Sequence, residues 1–275
     1  MAVAKTIADN ILEELNHFSL SGTKPDAFTS ARLKREISKL GNVDFIAHLL
    51  CDAILATIDG RKDDAFRNFS EILKYQPESA DMHQNFGYSL AKFRRMNEAH
   101  KQYLLAIDSS DQTTKLLIDL AESSQIVFRP GDLKMALERN EKKIDFDALS
   151  SNSDIRRALK LAQLFKEFHI NEDEANQLYT TVEQICEEND TAVVTGFFRV
   201  TGMQGGSTLT FYASIEGDSD FISEMNLNFC DKVIDNDQGH ILKNIAYVFV
   251  PANLDDEVRM QEATDANGVA YASHS

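Results

Sequence analysis

Three groups of side chains have the types and spacing of chemical sites. His48, Cys51 and Asp52 stand at i, i+3 and i+4, one face of one helical turn, and all three are metal-ligand types. They lie in the most apolar stretch of the chain with no further ligand cluster, so core packing is the expectation. Asp218, Asp220 and Glu224 follow a strand-like run, a frequent placement for Mg²⁺ carboxylates. No phosphate loop accompanies them, and capping of the following helix is the simpler role. Gly202–Ser207 is glycine-rich but lacks the Lys-Ser/Thr ending of a nucleotide loop and reads as a hairpin turn. Serine, histidine and aspartate occur without a nucleophile elbow, and no Cys–His motif is evident. No catalytic residue, metal site or cofactor is therefore expected. Arg94 and Arg95, the densest basic spot, read as an exposed turn rather than a nucleic-acid site.

Composition narrows the classes further. The 275 residues are 43% hydrophobic, enough for a sizeable core, and the formal net charge is −16. That charge disfavours binding to a bare phosphate backbone and favours a basic partner. No apolar run approaches the ~20 residues of a membrane span, and the first ten residues turn polar too early for a secretory signal. Cys51, Cys186 and Cys230 are odd in number and far apart, with no C-x-x-C spacing. Buried free thiols in a reducing cytosol are the expectation.

The elements that position these residues can be read in order. Residues 4–18 place Ile7, Ile11, Leu15 and Phe18 on one helical face. A helix over 27–40 follows, with Gly41 expected to end it in the left-handed region. Helices then read over Val43–Asp59, Asp63–Tyr75, Ala80–Phe93 and Asn97–Ile107, punctuated by Gly60 and Pro77. Thr114–Ile126 and Asp132–Lys143 make a further pair, and a polar join covers Asp145–Asp154. Two more helices follow, the first capped by Ser153 or Asp154 and the second opening at Asn171. After Asp190 the pattern turns to β: Thr191–Glu216 reads as a hairpin, with strict alternation at Leu209, Phe211, Ala213 and Ile215. Residues 219–234 suit helix or strand, with length favouring helix. Ile245–Val250 is a last strand, and 253–275 read as a flexible acidic tail.

One spacing organises the N-terminal half. Ala65, Phe69, Ile72 and Pro77 return as Ala99, Tyr103, Ala106 and Asp111, each pair 34 apart. A period near 34 marks stacked helix–turn–helix units. With Ala53 and Gly87 on the first helices, Ala65 and Ala99 on the second, Phe69 and Tyr103 four residues on and Pro77 at the close, residues 45–111 resemble the tetratricopeptide repeat family. Asp111 departs from the closing proline. The resemblance extends toward 27–143, although Arg35 replaces the aromatic of an upstream unit and Ala136 lies 37 from Ala99. The expected fold class is mainly α, a tetratricopeptide-like helical-repeat superhelix followed by a small α+β module of hairpin, helix and strand. The expected organisation is a helical-repeat domain over 1–149, with units at 45–77 and 80–111 and a divergent unit at 114–143. A helical pair (150–188), the α+β module (189–252) and the tail complete it.

The resemblance implies a groove lined by first helices that binds a protein segment. By the family pattern Asp81, Gln84, Asn85, Tyr88 and Lys92 face that groove, and Lys115 matches a position of the family's carboxylate clamp. Leu50, Ile54 and Asp119 stand where that clamp needs Lys, Asn and Arg, so a terminal carboxylate is not the ligand. The function this implies is a non-catalytic adaptor or scaffold. An acidic inhibitor or antitoxin of a basic partner is a narrower form of it, and homo-oligomerisation stays open. The alternative class is a small metal- or nucleotide-dependent enzyme at 189–252, regulated by the repeats.

Overall fold

The structure, a computed structural model, describes residues 2–110, 113–144, 146–203 and 206–252. It is mainly α, with helix pairs in repeat-like order followed by a small module containing three strands. The chain divides into two compact units, Met1–Asp111 and Gln112–Ser275.

In the first unit, α1 (Ala2–Ser21) and α2 (Ala27–Leu40) precede two helical hairpins. These are α3 (Phe45–Asp59) with α4 (Lys62–Tyr75) and α5 (Ala80–Lys92) with α6 (Met96–Asp108). Local chemistry sets the bounds. Asp26 caps α2 by accepting the Thr29 N–H at 2.7 Å, and Asp44 caps α3 by accepting the Ala47 N–H at 2.9 Å. Gly60 ends α3 at φ 81°, a left-handed conformation that glycine adopts without strain. Gly41 departs from expectation: its φ is −55°, and the chain leaves α2 through a turn in which the N–H groups of Val43 and Asp44 both donate to the Leu40 carbonyl. At the crossings of the hairpins Ala53, Ala65 and Ala99 are fully buried. A Cβ on Gly87 would lie 2.6 Å from the Tyr103 ring, so only glycine lets α5 and α6 approach this closely. Phe69 stacks on Phe86 with ring centres 5.2 Å apart, joining the two hairpins through their aromatic positions.

In the second unit, α7 (Thr114–Ile126) and α8 (Pro130–Arg139) form a third hairpin. A short 3₁₀ turn (Glu141–Lys143) and α9 (Phe146–Ser151) lead to α10 (Ser153–Glu167). Because α10 packs on both α7 and α8, the polar join at 145–154 lies inside this unit. Asn152, rather than Ser153 or Asp154, caps α10 by accepting the N–H groups of Asp154 and Ile155. Then come α11 (Glu172–Glu188), β1 (Val193–Met203), β2 (Gly206–Ile215), α12 (Ser219–Asp235) and β3 (Ile245–Pro251). The ambiguous stretch 219–234 is helix, and its buried residues Ile222, Met225, Phe229 and Val233 keep the three-to-four spacing of one helical face.

The sheet order is β1-β2-β3, with β1 antiparallel and β3 parallel to β2, so α12 is the crossover between parallel strands. An aromatic core fills one face. Phe128, from the α7–α8 turn, is fully buried with its ring centre 5.3 Å from Phe198, 5.2 Å from Phe211 and 6.0 Å from Tyr247. Its backbone adopts φ 60°, so a non-glycine residue accepts a left-handed conformation to deliver its ring to the sheet. Residues 253–275 lie outside the described residues. Among the described residues no helix is long and apolar enough to cross a membrane.

Candidate protein-binding face

The five groove positions on the second hairpin all fall on α5, spaced so that they share one side of the helix. Asp81, Tyr88 and Lys92 are exposed, and Gln84 and Asn85 are half-buried. Tyr88 is the organising residue. Its hydroxyl donates to the Ser19 carbonyl of α1 at 3.2 Å, and the Lys92 ammonium lies 5.5 Å from its ring centre. The ring is fixed at both ends yet 36% exposed, an apolar surface with polar groups around it. Asn85 turns its amide donor back to the Asp81 carbonyl at 2.8 Å. The face therefore offers an aromatic plate, a cation and side-chain amides, groups that can bind a peptide backbone and its side chains. Lys115 belongs to α7 in the other compact unit.

The first hairpin does not repeat this face. Stepping back 34 residues from Asp81, Gln84, Asn85, Tyr88 and Lys92 gives Ala47, Leu50, Cys51, Ile54 and Ile58. Leu50, Cys51 and Ile54 are buried in one apolar core with Ile11 and Leu15 of α1, Ala47 and Ile58 are partly buried against it, and α1 packs on α3. The side of α3 that corresponds to the α5 face is thus closed by the chain's own first helix. The apolar types at these positions already carried that signal, since a peptide groove open to water does not present Leu, Cys, Ile and Ile in a row.

The other candidates go to structural roles. His48 donates from Nδ1 to the Ile37 carbonyl at 2.9 Å. Asp52 accepts from the Asn68 amide at 2.8 Å and lies 3.9 Å from the Arg61 guanidinium. Burial pushes the Cys51 thiol up to about 12, with the nearby Asp44 and Asp52 carboxylates adding to the effect. Among the described residues no group of three or more His, Cys, Asp or Glu is arranged to hold a metal ion. Asp218 caps α12, accepting the Phe221 N–H at 2.9 Å. Arg95 pairs with Glu98 in the first turn of α6, and Arg94 occupies the α5–α6 turn at φ 63°. The β1–β2 ladder runs to Met203 opposite Gly206, and residues 204–205 lie outside the described residues.

No family model matches the chain, and no curated protein matches it. Among solved structures the chain is similar to one described as the functional characterization of Pseudomonas aeruginosa pilF, with 12% identity and a TM-score of 0.44. That likeness covers 96% of this chain and 95% of that one. The resemblance of the first unit to tetratricopeptide repeats lies in its own hairpins: the 34-residue step, the small residues at the crossings and the Phe69 and Tyr103 positions.

Proposed function

We propose that the protein is a non-catalytic interaction adaptor and that the exposed side of α5 is where it holds a segment of another protein. The observation that carries this reading is Tyr88, a ring kept partly in water and fixed by Ser19 and Lys92 among polar groups. The corresponding side of α3 is closed by α1, so the recognition surface is short and centred on one helix. A short surface suits an extended peptide held by side-chain amides and one aromatic contact. Cys51 and Cys186 are buried thiols outside any disulfide, which fits work in a reducing compartment.

Tyr88→Ala tests this directly. The ring is partly exposed, so its loss leaves the fold intact while removing the main apolar contact of the face. With a partner in hand, the variant is expected to weaken capture about tenfold, a typical loss for one aromatic anchor, with unchanged circular dichroism. A folded Tyr88→Ala protein that captures the partner as well as wild type overturns the assignment of this face.

A further inference from the structure

The net charge of the chain is concentrated in one region. Residues 1–111 contain fourteen Lys or Arg against sixteen Asp or Glu, whereas residues 171–252 contain three against fourteen. Within the second stretch, α12 turns Ile222, Met225, Phe229 and Val233 inward. Its outward side carries two adjacent rows. One is apolar: Leu227, Cys230 and Ile234, at steps of three and four, with Leu227 66% and Ile234 72% exposed. The other is acidic: Glu224, Asp231 and Asp235, at steps of seven and four, all exposed. Asp231 and Asp235 also border a cleft of about 260 Å³ between α11 and α12, whose other acid is Glu188. The one cation there, Lys232, is already engaged, donating to Glu188 at 2.8 Å.

We infer that this outer side of α12 docks a basic amphipathic helix of another protein, with its apolar seam on Leu227 and Ile234 and its Lys or Arg side chains over Asp231 and Asp235. The apolar row is straight along a helix and about two turns long, which matches the seam of a second helix better than an extended strand. Charge selects the occupant. A second copy of this chain would set Glu224, Asp231 and Asp235 against their own kind, and phosphate-bearing nucleic acid or anionic membrane would meet the same repulsion. Interfaces this small are weak and transient, so electrostatic steering has a large share in recognition and binding falls with salt. This surface is independent of the α5 face and survives if that assignment fails.

The test uses the full chain and a dye-labelled peptide of about 14 residues, roughly four helical turns. The peptide is built of Leu and Lys, with Leu at helical i, i+3, i+4 and i+7 positions. A control peptide of the same composition spreads its leucines around the helix. Fluorescence anisotropy is expected to show the patterned peptide binding about tenfold tighter than the control. The double variant Leu227→Ser/Ile234→Ser removes that preference, and Asp231→Asn/Asp235→Asn weakens binding and flattens its salt dependence. Tyr88→Ala leaves the peptide affinity unchanged. All the substituted side chains are exposed, and circular dichroism verifies that each variant is folded. Equal binding of the two peptides, or undiminished binding by folded Leu227→Ser/Ile234→Ser, overturns the inference. So does sedimentation showing a wild-type dimer that the same double variant converts to monomer, which would make this side an interface between copies.

Discussion

Tyr247 shows how tightly the sheet core is closed. Its ring lies 5.1 Å from Phe211 and 5.4 Å from Phe229, and its hydroxyl is buried with no hydrogen-bond partner among the described residues. Burial holds the phenol well above its ordinary range. A buried hydroxyl without a partner costs about 1–3 kcal/mol of desolvation. Tyr247→Phe keeps the ring and removes that cost. The expected outcome is a gain of roughly 1 kcal/mol in urea unfolding. A lower unfolding midpoint for the variant would show that the hydroxyl has a partner in the native protein. Such a residue is invisible to pattern reading, because alternation along β3 shows only that position 247 points inward, not whether its oxygen finds a donor or acceptor.

At the scale of elements, the helices and strands were legible because each buried face repeats at its own period and most helices start at a capping residue or next to a turn. The α5 positions were legible only through the resemblance of residues 45–111 to the tetratricopeptide repeat family. What the sequence concealed were contacts between elements distant in the chain: which helix covers the apolar side of α3, Phe128 entering the sheet, and the join between α8 and α11. In that join the Glu172 carboxylate, at the first position of α11, accepts the Gly131 N–H of α8 with both oxygens, at 2.9 and 3.1 Å. Beside it Arg129 pairs with Asp173 at 2.5 Å, and the Asn176 amide donates to the Val127 carbonyl at 2.8 Å. Burial raises Glu172 to about 7. The Gly131 hydrogen bond and Arg129 oppose the shift, and Asp132 and Asp173 add to it. An acid whose folded pKa is raised binds its proton more tightly when folded. Its stabilising contribution is therefore complete below its unfolded value of 4.5 and is lost as pH climbs toward about 7. After discounting for partial exposure, the loss is on the order of 1–2 kcal/mol. Unfolding measured from acid to neutral pH should show wild type losing stability relative to Glu172→Gln across that window. A wild-type minus variant difference that stays flat with pH would remove Glu172 as the cause.

For the whole molecule, the three cysteines report on different parts of the chain. Cys230 is exposed on α12, Cys51 is fully buried in α3 of the first compact unit, and Cys186 is buried in α11 of the second. Thiol reagents attack the thiolate, and with its pKa near 12 Cys51 supplies almost none at neutral pH until its surroundings open. A native sample is therefore expected to take up one equivalent of reagent quickly, at Cys230, and two more only through opening of the fold. Each compact unit has its own core, so the two slow sites should react at different rates, identified by mass spectrometry of labelled fragments. Glu172→Gln, placed in the second unit, should change the Cys186 rate at neutral pH and leave the Cys51 rate alone. If Cys51 and Cys186 react in step in both proteins, the two units open as one cooperative body. Modification of Cys230 by a bulky reagent carries its own consequence: it places an adduct between Leu227 and Ile234, so it should abolish binding of the basic amphipathic peptide while the α5 face keeps its partner.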